Sequence, residues 1–270
     1  MCLVLIAIEQ HPEYPIIILS NRDEFYTRPT QPAHYWQSSP SLFAGQDLVG
    51  GGSWLGINKK GQFALVTNYR NPNAYDKTLL SRGVLVKDFL QNDIEPQTYI
   101  ETIRPLAPQY NLYNLIVGNL NEVIYFSNVE DKVIKLKPGL YGLSNHLLNT
   151  SWYKVSRAKE LFKQALARQV TECPPEQIDA LLFPILEDKT LAPDNLLPQT
   201  GVTLDLEKAL SSIFVNIPQH AYGTRNSTLL LFSKNNIYFS EKVFKDAKMI
   251  FNQRQNIVCC RSYHGGELKA

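Results

Sequence analysis

The chain has 270 residues, 44% of them hydrophobic, and its 27 Lys and Arg nearly balance 25 Asp and Glu for a net charge of +2. That length buries a sizeable core, and basic residues scattered along the chain exclude the electrostatic footprint of a nucleic-acid-binding protein. The apolar run Leu3 to Ile8 is too short for a membrane span or a signal-peptide core and no basic residue precedes it, so a cytoplasmic protein without a membrane span is expected.

The first fifth reads as strands. LVLIAIE and PIIILSN predict a β-hairpin, because two short apolar runs flank the proline-rich connection HPEYP. This hairpin sets the start of the chain beside Asn21, Arg22, Asp23 and Glu24, a dense polar cluster that closes the second strand. WLGIN and FALVTN predict a second hairpin turning through Lys59, Lys60 and Gly61. Gly50, Gly51 and Gly52 ahead of it are no phosphate loop, since no GK[ST] ending follows and the segment runs into a strand. They fit either a flexible or a closely packed approach to the hairpin.

Helical signals follow. Ser81 is placed to cap a helix through Val84, Leu85 and Phe89, and EPQTYIETIRPLA gives a second helix ending near Pro105. NLIVGN, EVIYFSN, KVIKLK and GLYGLSN read as an antiparallel meander of four strands. In SWYKVSRAKELFKQALARQV, Trp152, Val155, Leu161, Phe162, Ala165 and Leu166 recur at helical spacing and predict the strongest helix of the chain. From Cys173 to about Leu206 the sequence is proline-rich, a lid or elaborated loop with one helical piece at PPEQIDALLFPILED. A short helix at LEKALSSIF precedes the last strands, STLLLFS and IYFSEKVF, joined by KNN. No repeat or composition shift marks a boundary, so residues 1–270 are expected to form one α+β domain with sheets inside and helices outside.

The residues that can do chemistry stand at strand ends. Cys2 begins the first strand, and removal of Met1 gives it a thiol and a free α-amino group on one carbon, a nucleophile and a base within reach of each other. Asn58 and Asn68 close the arms of the second hairpin, Asn145 ends GLYGLSN, and Arg225 precedes STLLLFS. Asn58 is read as a turn residue. An acyl-transfer site needs a nucleophile, a group to hold or deprotonate it, and amide donors aimed at a developing oxyanion. Cys2, Cys173, Cys259 and Cys260 follow neither a zinc nor a disulfide spacing, which points to reduced thiols, the adjacent pair being strand neighbours on opposite faces. The histidines give no metal-ligand spacing, so no metal is expected.

Several segments match a known pattern in order. NRDE at Asn21 to Glu24, GGSWLGIN at Gly51 to Asn58, TNYR at Thr67 to Arg70, SRG at Ser81 to Gly83 and YGTR at Tyr222 to Arg225 resemble the NRDE family, also called the transport and Golgi organization protein 2 family. That family is similar to N-terminal nucleophile (Ntn) hydrolases of the penicillin V acylase and bile salt hydrolase type. The similarity implies a four-layer αββα fold, two stacked mainly antiparallel sheets flanked by helices. It implies Cys2 as nucleophile, Asp23 as the carboxylate that binds its amino group, Asn145 as an oxyanion donor and Arg225 near the thiol; Asn68 or a backbone amide is the expected second oxyanion donor. Asn21, Arg22, Glu24, Trp54 and Tyr69 are the expected substrate contacts. The acylases carry an arginine shortly before the aspartate where this chain has Ser20; Arg22 stands next to Asp23 instead, and strand neighbours point to opposite faces.

The function implied is that of a cysteine amidohydrolase-like protein acting on a non-peptide amide or acyl substrate. The alternative is a carrier of haem, lipid or acyl-CoA that binds without cleaving. No cofactor is required on either reading, haem entering only as a bound ligand, and the partner is a small molecule.

Overall fold

The computed structural model describes residues 3–168 and 173–259, so Cys2 and Cys260 lie outside the described residues. In chain order the strands are β1 (Leu3–Ile8), β2 (Ile16–Phe25), β3 (Thr30–Trp36), β4 (Ser39–Asp47), β5 (Leu55–Asn58), β6 (Phe63–Asn68), β7 (Tyr113–Gly118), β8 (Val123–Ser127), β9 (Lys132–Lys135), β10 (Gly139–Leu143), β11 (Asn216–Ile217), β12 (Tyr222–Phe232), β13 (Asn236–Lys245) and β14 (Lys248–Val258). The α-helices are α1 (Gly83–Gln91), α2 (Pro96–Ile103), α3 (Tyr153–Ala167), α4 (Pro175–Leu186) and α5 (Leu204–Ala209).

β1 and β2 are apolar on both faces because both faces are covered. They belong to a sheet of order β10-β1-β2-β12-β13-β14, with β11 added on β12, and β3 to β9 form a second sheet in sequence order; the named pairings are antiparallel. Val4, Ile18, Ile57, Leu65, Ile116 and Phe239 fill the space between the sheets. On the outer face of the first sheet, Leu5, Leu19 and Leu229 pack with Phe162 of α3 and Leu182 of α4. On the outer face of the second, Leu115 and Phe126 pack with Phe89 of α1 and Ile100 of α2. The result is the four-layer αββα arrangement that the resemblance implies, α+β with antiparallel sheets. Among the described residues no helix is long and apolar enough to cross a membrane.

Several local expectations change. The NRDE cluster does not close β2: the strand continues to Phe25 because β12 pairs with it as far as Tyr222 opposite Phe25. β10 is no fourth meander strand; it leaves β9 and pairs with β1, Val4 opposite Leu143. The hairpin β3–β4 and the strand β14 were not readable, since Pro32 and Pro40 interrupt the one and NQRQN fills the middle of the other, which is exposed along most of its length. Ser81 makes no side-chain cap; Arg82 is the N-cap residue of α1. Only Leu204–Ala209 of LEKALSSIF's surroundings is helical, the rest turning toward β11.

Candidate functional site

Alternation along β2 sorts the NRDE cluster between two environments. Asn21 and Asp23 share a face with Leu19, toward the helices, whereas Arg22 and Glu24 share the face of Ile18, between the sheets. Asn21 is fully buried there: its Nδ2 donates to the carbonyls of Leu186 and Ile213 at 2.8 and 2.9 Å, and its Oδ1 accepts from Ser227 Oγ at 2.6 Å. It is a tie between β2 and the helical layer. Asp23, also buried, accepts from Thr224 Oγ1 at 2.7 Å, and the same Thr224 oxygen accepts from the Val215 amide at 2.9 Å. β1 starts two residues back along the pairing, with Leu3 opposite Asn21.

On the inner face, Arg22 lies with its guanidinium carbon 4.2 Å from the centroid of Trp54. It is only 3% exposed, its nearest carboxylate is Glu24 at 3.8 Å, and its Nη1 has no hydrogen-bond partner among the described residues. Burial pushes its pKa down, and neighbouring Glu24 and Asp47 push it back up. Arg22, Glu24 and Trp54 line a cleft of about 500 Å³ whose other walls include Arg28, Asp47 and Arg82. A second cleft of about 420 Å³ adjoins it, lined by Tyr69, Arg70, Asn145, Leu206, Leu210 and Tyr222. Phe25, Asn68, Tyr75 and Arg82 belong to both, so the two are halves of one depression. A larger hollow of about 650 Å³ near Pro105, Tyr110 and Asp131 contains none of the expected site residues and is not where the chemistry gathers.

Asn68 and Asn145 meet in the second half. Asn145 Nδ2 donates to the Asn68 carbonyl at 3.2 Å, and the Asn145 carbonyl accepts the Arg70 amide at 2.8 Å. Arg70 in turn binds the buried Glu207 at 3.1 Å, so a charge pair fixes the loop that carries Asn145. Tyr69 is held by His146: its hydroxyl lies 2.9 Å from Nε2, while Nδ1 lies 2.9 Å from Thr150 Oγ1. Because the Thr150 hydroxyl gives its proton to the Leu147 carbonyl at 2.8 Å, it must accept from Nδ1–H, and Nε2 is left to accept from Tyr69. Arg225 sits at the irregularity between Thr224 and Asn226 and donates through Nη1 to the carbonyls of Phe25, Tyr26 and Arg28 at 2.9, 3.3 and 3.1 Å. That contact stitches the turn after β2 to β12. Asn58 is a turn residue, its Oδ1 accepting from the amides of Lys60 and Gln62.

A family model described as Transport and Golgi organisation 2 matches residues 1–246. The chain belongs to that family. It is 33% identical over 259 residues to the Transport and Golgi organization protein 2 homolog of Bos taurus, covering 90% of this chain and 92% of that one. The human homolog is 32% identical over 262 residues, covering 91% and 94%. Among solved structures, a mutant conjugated bile acid hydrolase from Clostridium perfringens aligns with a TM-score of 0.52 at 9% identity over 96% of this chain and 92% of that one. A Caenorhabditis elegans ortholog of N-acylethanolamine-hydrolyzing acid amidase aligns with a TM-score of 0.50 at 13% identity, covering 85% and 92%. At such identities the likeness is one of fold, and it is the Ntn-hydrolase fold.

Sequence reading missed several charged residues that line or brace this depression. Arg82 and Arg70 stood inside the motifs SRG and TNYR without being selected, and Arg28, Asp47 and Glu207 carry no motif at all. Arg28, Asp47, Arg70 and Arg82 share one signal, charge held at a bend or beside the end of a strand, visible only once the sheets place those bends together, whereas Glu207 lies within α5.

Proposed function

We propose that the chain is an N-terminal nucleophile amidohydrolase that cleaves a non-peptide carbon–nitrogen amide or a related acyl bond in a reducing, cytosol-like compartment. The Cys2 thiol, exposed after removal of Met1, attacks the acyl carbon while its proton passes to the Cys2 amino group. The amine leaves with that proton, and water hydrolyses the thioester to free the acid. The observation that carries this reading is the buried carboxylate of Asp23, fixed by Thr224, two strand residues (roughly 7 Å) beyond the Leu3–Asn21 pair to which Cys2 is joined by one peptide bond. A fixed acceptor at that strand end suits an ammonium group. Asn145, with an amide N–H beyond the one given to Asn68, suits a developing oxyanion.

The second reading is a carrier that binds an acyl or haem-like ligand without cleaving it. What favours it is an imidazole on the wall of the second cleft, His220, which a haem-like ligand can meet.

Intact mass of the purified protein, before and after exposure to an activated acyl ester, separates the two. Hydrolysis requires loss of Met1 and a single adduct absent from Cys2→Ala. Retained Met1, or labelling indifferent to Cys2→Ala, removes the hydrolase reading, and saturable binding of acyl or haem ligands by Cys2→Ala without turnover in the parent protein establishes the carrier.

A further inference from the structure

The first half of the depression carries more positive charge than its own carboxylates neutralise. Three guanidinium groups, Arg22, Arg28 and Arg82, face two carboxylates, Glu24 and Asp47. Both carboxylates are already engaged: Asp47 accepts from Arg28 Nε at 2.9 Å and from the amides of Val49 and Gly50, and Glu24 Oε1 accepts from the Phe25 amide at 2.9 Å. Arg82 gives Nη1 to the Leu112 carbonyl at 3.1 Å and forms no ion pair among the described residues. A buried guanidinium with an unsatisfied N–H is costly, and a bidentate oxyanion is what its geometry best accepts.

A second source of positive potential opens on the same place. Ser81, Arg82 and Gly83 at the start of α1 line the cleft. The nine-residue helix has no side-chain cap and no acidic residue in its first turn, so the positive end of its dipole is not offset locally. Its closeness is enforced by Gly52, where an added Cβ would lie 2.2 Å from the Gly83 carbonyl carbon.

We propose that this half of the depression is an oxyanion subsite that holds the carboxylate or phosphate group of the ligand between Arg22 and Arg82, leaving the acyl portion to the more apolar half beyond Phe25 and Tyr75. The proposal rests on the reading above for the location of the ligand, and not on the nucleophile. It names the ligand class: an amphipathic acyl compound with an anionic end.

The test uses full-length Cys2→Ala protein, so that no acyl adduct contributes. Inorganic phosphate and acetate are titrated separately at constant ionic strength, which separates site binding from screening. The readout is intrinsic fluorescence, because drawing Arg22 toward an anion alters its contact with the Trp54 ring. The expected result is a saturable change with at least one of the anions at a Kd of about 10 mM or tighter. The change is lost in Trp54→Phe and weakened at least tenfold in Arg82→Gln of unchanged melting temperature, with Arg82→Lys recovering part of it. Response to phosphate alone assigns a phosphate-type group, and response to acetate alone assigns a carboxylate. No saturable response to either anion, or an equal response in a folded Arg82→Gln, overturns the subsite. Binding by Cys2→Ala together with absence of any acyl adduct on the parent protein leaves the subsite standing and removes only the hydrolase.

Discussion

Arg22 and Asp23 are neighbours in sequence and lie on opposite sides of one sheet, Arg22 stacked on Trp54 between the sheets and Asp23 bonded to Thr224 on the helical side. A four-letter motif therefore serves two compartments, and each letter has a different test.

Asn21→Leu fills a similar volume and removes three buried hydrogen bonds, stranding the carbonyls of Leu186 and Ile213. Each abandoned group costs about 1–3 kcal/mol, so a loss of about 3 kcal/mol or more in urea unfolding is expected. Anion titration of the protein that remains folded should match the parent, since Asn21 does not reach the cleft. A lost anion response in folded Asn21→Leu contradicts the assignment.

Thr224→Val takes a hydroxyl from between Asp23 and the Val215 amide. The expected cost is about 2–4 kcal/mol in stability, because a buried carboxylate loses a donor and a buried amide loses an acceptor. Thr224→Ser, which keeps the oxygen, should recover most of it.

Gly52→Ala drives a methyl group into the Gly83 backbone, which cannot move away as a side chain can. Overpacking of this kind costs about 1–3 kcal/mol, and it should also weaken anion binding by displacing the start of α1. Gly51→Ala makes the informative comparison: open space surrounds the added methyl, and only the strain of a φ of +67° opposes it.

Burial lowers the pKa of His146 below its ordinary 6.5, outweighing the opposite pull of Glu130. The folded protein thus binds this proton less readily than the unfolded chain does. Its contribution to stability is fully present above pH 6.5 and is lost as the pH falls through the depressed folded value. His146→Gln should flatten that part of the stability profile, measured as the difference from the parent because His11 is depressed by burial as well. Protonation also makes Nε2 a donor, so the Tyr69 hydroxyl must turn its proton elsewhere. The environment of Tyr69, followed by NMR, should change over the same range, and a profile unchanged by His146→Gln would count against the link.

The layers were legible because LVLIAI and PIIIL are apolar at every position, which only a strand covered on both faces explains. Tyr153–Ala167 was legible for the complementary reason, an apolar stripe at helical spacing. β10 was not, since nothing local in GLYGL distinguishes a strand that continues a meander from one that crosses to another sheet. β14 escaped because an edge strand exposed along most of its length carries no alternation. In the site, the opposite faces of Arg22 and Asp23 followed from alternation alone. The engagement of Asn21 by Leu186 and Ile213 did not, because an asparagine reads the same whether its amide meets a ligand or a distant carbonyl.

β1 is flanked on one side by β2 and on the other by β10, about half the chain away, and β2 then waits for β12 near the end of the described residues. On a ribosome adding about 5–20 residues per second, the first hairpin emerges with both edges open for roughly ten seconds before either outer partner exists. It is the most apolar segment of the chain at that moment and has no cover of its own. The first hairpin is thus the earliest made and among the last to be enclosed, which makes productive folding of this protein a matter of shielding its beginning until its end arrives.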